Sequence, residues 1–433
     1  MTTAIENDVA RPVVPADMAG LLANPQAHAD GRVLDALAWL RRNQPLGIAE
    51  PEGFDPFWVV TRQADLRAIA MKGEVFHNTL RVNMIDRAAV QQMQELLKGR
   101  EFPLRTILHM DPPDHPKYRA VASGYFHAKN LDGLTGQIRA IAAEFADRLV
   151  EAGGECDFAQ EIAFLYPLRV IMTVLGVPQE DEPLMLRLTQ ELFGTADDDL
   201  AREGNANATG AEVGEALAAV TADFDAYFDG LLADRRKHPR NDLISVIANA
   251  EIDGKPMPAL EARSYCIVAA TAGHDTTAGV TAGGFKAICE DPSLLPAIRD
   301  NQDTIKAFVE EAARLHSPSK ITMRTAVQDI ELCDRQFRAG DWIAMAWASG
   351  NRDETLFPDP DAFRIDRKPN KLISFGNGPH VCIGQHLARL EMRLLFEEIA
   401  RRVESVELAG EPKCMASLMV SGLKYLPVRY RLR

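Results

Sequence analysis

The sequence predicts a mainly α-helical protein with a small antiparallel β part, and three observations carry that prediction. From Pro116 to about Leu315 apolar residues recur at helical spacing, with breaks at Gly153-Gly154, Pro178, Asp197-Asp198-Asp199 and Lys237-His238-Pro239. Leu387, Leu390, Leu394 and Leu395 repeat that spacing near the end of the chain. Between the two helical blocks, Ala326–Trp347 alternates in short stretches, as strands with one buried face do.

In chain order, residues 1–50 are punctuated by proline, with one amphipathic patch at Val33–Leu40. Residues 1–20 are expected to be loosely ordered. Trp58–Thr61 reads as a short strand and Gln63–Met71 as a short helix. The stretch 79–105 mixes charged and apolar residues without a period, which predicts a loop with helical fragments. A long irregular segment covers about 350–383, and loops of that length inside a compact domain usually serve function. A last strand pair is expected at Ala416–Val420 and Tyr425–Tyr430, turning at Ser421-Gly422.

With 433 residues, 46% of them hydrophobic, the chain can bury a large core. No Pro/Gly/Ser linker, low-complexity tract or repeat divides it, so a single domain over 1–433 is expected. A net charge of −14 argues against a general nucleic-acid binder. The six cysteines are widely spaced with no CxxC pair, which fits a reduced, cytoplasmic protein rather than a disulfide framework. The first residues carry neither a basic nor an apolar leader segment. No run approaches the length of a membrane span.

The most informative stretch is Phe375-Gly-Asn-Gly-Pro-His-Val-Cys-Ile-Gly384. It places Cys382 on a glycine-rich loop just ahead of a helix expected to begin near Gly384. Unpaired N–H groups and the positive end of a helix dipole lower a thiol's pKa, and the thiolate is the form that binds metal. Gly376, Gly378 and Gly384 permit tight turns and close approach to a flat ligand. The spacing Phe-Gly-x-Gly-x-His-x-Cys-x-Gly resembles the proximal signature of the cytochrome P-450 family of haem-thiolate monooxygenases. That resemblance implies a triangular helical prism with haem b (iron protoporphyrin IX) between a distal helix and the Cys loop. Cys382 would be the axial thiolate, Phe375 and Gly384 would contact the haem, and O2 would be the co-substrate.

Ala270-Thr-Ala-Gly-His-Asp-Thr-Thr-Ala278 sets small residues beside a carboxylate and a hydroxyl in mid-helix. A threonine there can bond back to a carbonyl and open the helix locally. Alone, the segment would suit a helix that packs tightly through Ala and Gly. Beside the Cys loop it resembles the family's oxygen-binding groove. Ala272 and Gly273 would then lie on the cofactor, Thr276 would hold water or dioxygen, and Asp275 would feed it protons. Thr277 is expected to face the packed side, and His274 to be structural.

In Asp111-Pro-Pro-Asp-His115-Pro-Lys-Tyr-Arg119, His115 and Arg119 share a helix face. The resemblance makes them haem-propionate contacts, joined by Arg324 and His380, and arginine matches carboxylates in a bidentate way. Glu311 and Arg314 form the family's Glu-x-x-Arg pair, which supports the long loop. The usual Pro-Glu-Arg-Phe stretch is replaced by Pro360-Asp-Ala-Phe363, so the third partner is open among Arg352, Arg364 and Arg367.

Further local likeness, including Tyr166–Pro178, Asp181–Gln190 and Gly384–Ala388, points to the alpha-terpineol monooxygenase branch. The pocket walls implied are 79–105, 185–225, Val268–Ala272, Ile321–Thr322 and Leu418–Met419. They are mostly apolar, which suits a terpenoid or an aromatic hydrocarbon. Electrons would come from an iron–sulfur ferredoxin and an NAD(P)H-dependent ferredoxin reductase. Lys117, Arg119, Lys129, Arg389 and Arg393 would offer the ferredoxin a basic patch. A peroxide-driven peroxygenase would have less use for Asp275 and Thr276. A haem sensor would have no use for the distal groove.

Overall fold

The computed structural model describes residues 12–79, 81–97, 103–203, 208, 210–299 and 301–433. At its centre runs the helix Ala259–Glu290, whose sequence is rich in Ala, Gly and Thr. Its small residues follow from what packs on it. A side chain at Gly273 would meet Ile171, one at Gly279 would meet Pro318, and one at Gly283 would run into the His316 ring. Around it, Thr135–Glu151, Leu165–Leu175, Ala211–Lys237, Gln302–Leu315 and Gln385–Arg402 turn their apolar faces into one core. Phe158 stacks on Phe285 and Phe308 meets Phe396 edge to face at that core.

The helical expectation holds almost to the residue at its far end, since Gln302–Leu315 stops at Leu315. Breaks fall where glycine, proline and the aspartate run stand: Gly176 caps its helix at a φ of 84°, and the helix ending at Phe193 precedes Asp197–Asp199. The final helix begins at Gln385, with Gly384 as its N-cap. Leu387, Leu394 and Leu395 are buried, while Leu390 is only half buried.

The β part is small. One five-stranded sheet runs Leu46–Ala49, Phe57–Val60, Trp342–Met345, Thr322–Ala326, Phe76–His77. Its pairings are antiparallel except that of Trp342–Met345 with Phe57–Val60, which is parallel. The C-terminal pair differs from expectation. Leu423–Tyr425 pairs with Lys413–Cys414, while Ala416–Val420 forms no strand and serves as the connecting loop. Pro427–Leu432 joins Val403–Leu408 and Glu155–Asp157, two strands too short or too charged to stand out in the sequence.

Order also begins earlier than expected. Val14 donates its N–H to Ile48 O at 2.8 Å, and Ala19 and Leu22 are buried. Residues 1–11 of that stretch lie outside the described residues.

Candidate active site

Cys382 stands at the end of a segment shaped by its own backbone and anchored by side chains from other elements. Gly376 and Gly378 both take a φ of 73°, and a side chain on Gly378 would run into the Ala70 carbonyl oxygen. The Cys382 N–H then closes the loop onto Phe375 O at 2.8 Å, and the Arg389 guanidinium lies over the Phe375 ring at 4.1 Å. The loop is anchored from behind. Arg314 and Glu311, both fully buried, pair at 2.7 Å, and Arg314 also donates to Asn351 O at 2.8 Å. The Asn351 side chain in turn accepts from Ile373 N–H at 2.7 Å and donates to Ser374 at 2.7 Å, just ahead of Phe375. The third partner of the pair is Arg367, whose Nε donates to Glu311 at 2.9 Å. Arg364 contributes only its backbone N–H to Glu311, at 2.9 Å, and Arg352 pairs instead with Asp361 at 3.0 Å.

The thiol opens into a cavity of about 390 Å³ between this loop and the long helix. Its acidity departs from the sequence expectation. Although the thiol is open to the cavity, its enclosure by protein pushes its pKa up, and the N–H groups of Gly384 and Gln385 with the guanidiniums of Arg119 and Arg389 only partly oppose it. The helix terminus acts as expected, but dehydration outweighs it in the protein alone.

On the opposite wall the long helix presents Val268, Ala269, Ala272, Gly273 and Thr276, one face at helical spacing. Thr276 donates its hydroxyl to Ala272 O at 2.8 Å, the back-bond expected of a mid-helix threonine. Asp275 is 2% exposed, and neither carboxylate oxygen receives an aligned hydrogen bond from a described residue. Thr277 faces Glu391, a buried carboxyl on the Cys-side helix whose pKa burial pushes well above the carboxylate range. Glu391 went unnoticed in the sequence. Its signal was there, because it falls four positions after Leu387 on the stripe that continues to Leu394 and Leu395.

At one edge of the cavity basic groups gather. The His115 and His380 rings lie 4.0 Å apart, Arg119 donates to Val381 O at 2.6 Å, and Arg324 is buried with a bond to Met323 O at 2.7 Å. They are not four charges. Burial, with the neighbouring His380 and Arg119, holds His115 down to about 4, and burial likewise lowers His380. Burial lowers Arg324 only to about 10, so the arginines carry the charge and the histidines act as neutral hydrogen-bonding groups. The Oδ1 of Asn78, which lines this edge, and the Nε2 of His115, whose ring packs on His380, are buried without a hydrogen-bond partner among the described residues. A thiol on one wall, a small-residue face on the other and an arginine-rich edge with orphaned polar atoms fit a flat, dianionic macrocycle.

The substrate-side wall is built by Val82, Ile85, Met93, Leu217, Thr322 and Met419. Ile321 and Leu418 do not line it. Ile321 is 3% exposed in the core beneath the five-stranded sheet, and Leu418 packs against that same cluster. Alternation along the strand explains Ile321, since its neighbour Thr322 is the residue turned to the cavity.

The expected basic patch is largely cancelled. Arg389 pairs with Glu310, Arg393 with Glu397 at 3.0 Å and Lys117 with Asp253 at 2.5 Å, while Arg119 is held by Val381. Lys129 alone of the five is exposed without a partner among the described residues.

Among the described residues no helix is long and apolar enough to cross a membrane. The family model described as Cytochrome P450 matches residues 83–424. Cytochrome P450-terp from Pseudomonas sp is 38% identical over 97% of this chain and 99% of its own length. Cytochrome P450 NovI from Streptomyces niveus is 32% identical over 94% of this chain and 95% of its own. The crystal structure of CYP108D1 from Novosphingobium aromaticivorans superposes with a TM-score of 0.90 at 37% identity, covering 98% of this chain and 100% of that one. Mycobacterium marinum CYP268A2 in complex with pseudoionone gives 0.86 at 28% identity, covering 97% of this chain and 100% of that one.

Proposed function

This chain belongs to the cytochrome P450 family and is a monooxygenase, and on that premise we propose that it hydroxylates a small hydrophobic molecule, a terpenoid or an aromatic hydrocarbon. Cys382 would bind the iron of haem b as a thiolate, with Arg119, Arg324, His115 and His380 holding the propionates. When bound, the haem supplies the redox chemistry that activates dioxygen and transfers one oxygen atom to carbon.

What supports this reading most is the pairing across one apolar cavity of an open thiol with the Thr276 hydroxyl, with the buried Asp275 carboxyl next to that threonine in the helix. Ala272 and Gly273 leave room for a flat ligand beside the long helix. The aliphatic wall of Val82, Ile85, Met93 and Leu217 would exclude water and hold an apolar substrate by burial rather than by polar contacts. Thr276 would hold a water or dioxygen in place, and Asp275 would carry the protons that dioxygen cleavage consumes. The name of the terp relative and the pseudoionone held by the Mycobacterium marinum protein favour a terpenoid over an aromatic substrate.

Electrons would arrive one at a time from an iron–sulfur ferredoxin and its NAD(P)H-dependent reductase. The paired arginines around the Cys loop argue that docking depends less on net charge there than on shape. The domain would span the whole chain and work in the cytoplasm.

The test is a spectral titration of the haem-loaded protein with small terpenoids and aromatics, followed by turnover with ferredoxin, reductase and NAD(P)H. A shift of ferric haem to high spin by a terpenoid, with a hydroxylated product, is expected. Product formation with peroxide but never with the electron chain would overturn the dioxygen reading.

A further inference from the structure

The hydroxyls that line the cavity differ in whether the protein already uses their hydrogens. Thr221 donates to Leu217 O at 2.7 Å and Thr271 to Ile267 O at 2.9 Å, each four residues back in its own helix. Thr276 does the same with Ala272. A helix offers its threonines that carbonyl, and their hydrogens are used there. Thr322 sits instead on the strand Thr322–Ala326, which has no carbonyl in that place. Its Oγ1 accepts the Nε1–H of the buried Trp347 at 2.8 Å. An indole N–H only donates, so that bond occupies a lone pair. The Thr322 hydroxyl hydrogen is left without an acceptor among the described residues.

Asn83 is a second polar group of this kind. It is half buried, lines the cavity, and its carboxamide has no hydrogen-bond partner among the described residues. The Met323 N–H donates to Val82 O at 2.7 Å, so the peptide units Val82-Asn83 and Thr322-Met323 face each other. Asn83 and Thr322 therefore branch from the two sides of one backbone bond. Met323 itself turns away into the core. The lining around them, Val82, Ile85, Met93 and Leu217, has no side-chain group that can hydrogen-bond.

We infer that Asn83 and Thr322 form a polar subsite for one oxygen of the substrate, so that the molecule to be hydroxylated already carries an alcohol or ketone group. This deepens the proposed function and rests on its reading of the cavity as the site of a small hydrophobic substrate. The Thr322 hydroxyl donates to that oxygen. The Asn83 carboxamide has both N–H donors and a carbonyl oxygen, so it donates a second bond to a ketone or accepts one from an alcohol. Burial against the aliphatic wall holds such a molecule but does not orient it. A bond at one end limits which carbons can lie near Cys382. A hydrocarbon would leave both polar groups dehydrated and unpaired, and such sites gain their discrimination from that penalty. Thr322 and Arg324 lie on the same face of their strand, so a haem propionate is the competing acceptor for the Thr322 hydroxyl.

The test uses ligands that differ only by hydroxyl for methyl: cumyl alcohol against tert-butylbenzene, and cyclohexyl dimethyl carbinol against tert-butylcyclohexane. Spectral titration of the haem-loaded protein gives each Kd. Comparing the alcohol-to-hydrocarbon ratio between variants cancels the unequal hydration of the two ligands. Asn83→Leu should lower the preference for the alcohol about tenfold, the upper end of what one neutral hydrogen bond contributes. Thr322→Val should lower it several-fold, and in both variants the hydrocarbon should bind as before or tighter. In turnover the alcohol should give one main product with the unaltered protein and several with Asn83→Leu.

An unchanged ratio in both variants, or equal weakening of both ligands, would overturn the subsite and leave the monooxygenase reading standing. Loss of haem from Thr322→Val with an unchanged ratio would give that hydroxyl to the propionate and overturn the two-group subsite. If the ligands bind but no product forms with ferredoxin, reductase and NAD(P)H, the proposed function fails, and the binding ratios still judge the subsite.

Discussion

The two walls of the cavity are built in opposite ways. The Cys382 wall is made by neighbours in sequence: two left-handed glycines, a turn and one N–H bond from Cys382 back to Phe375 shape it. The long-helix wall is made by distant partners. His274 bonds to Phe164, 110 residues away, and to Thr189, 85 away, while Thr277 meets Glu391 from the far helix. A site dictated by local backbone geometry leaves a readable signature. A site dictated by which helices come to lie together does not.

The largest expected effect sits on the local wall. Cys382→Ser should abolish the strongly red-shifted carbon monoxide Soret band of thiolate-ligated ferrous haem, together with turnover. A retained band would place the ligand elsewhere and dissolve the contrast between the walls. Next comes the anchor behind that wall. Removing Arg314 as Arg314→Ala leaves Glu311 buried against one remaining guanidinium, and should cost about 3–5 kcal/mol in denaturant unfolding. Little change would mean that the loop stands without its anchor.

On the distant wall, Asp275→Asn should slow dioxygen-dependent turnover about 10²-fold or more while the substrate-induced spectral shift persists. Loss of both together would make the residue structural and reduce that wall to packing. Gly378→Ala should destabilise by about 1–3 kcal/mol through strain at positive φ and the clash with Ala70. Thermal unfolding of the variant with its haem content measures it, and a neutral outcome would show the loop to be adaptable.

A pH-dependent effect, small near neutrality, tests the packing of the long helix. Burial against Gly283 lowers the His316 pKa from 6.5 to about 3, so the folded protein keeps the ring neutral while the unfolded chain takes up a proton. Stability from this group is therefore present above pH 6.5 and is lost as pH falls toward 3, by up to about 1.4 kcal/mol per pH unit. Denaturation between pH 7 and 4 should show a shallower slope for His316→Gln. An identical slope would mean that water reaches the ring.

Much of the fold was legible. Periodicity located the helical block ending at Leu315 and the helix that follows Gly384, because each buries one stripe along its length. The strands Glu155–Asp157 and Val403–Leu408 escaped notice, since the first has only three residues and the second carries two glutamates and a serine among its six. Ala416–Val420 misled for a related reason: an apolar run can line a cavity or a core as a loop. In the site, Cys382, Thr276, Arg119 and Arg324 announced themselves by motif. Arg367, Glu391 and the neutrality of His115 did not, because burial and neighbouring charge decide them.

Left to itself, the order of residues determined the thiol loop, the run of helices and the acidic net charge, since each follows from short-range geometry or composition. Only the packed structure decided which arginine completes the Glu311 pair, which way Ile321 turns and what packs against His274. Those depend on desolvation and on contacts between segments far apart, and no local stretch of sequence encodes either one.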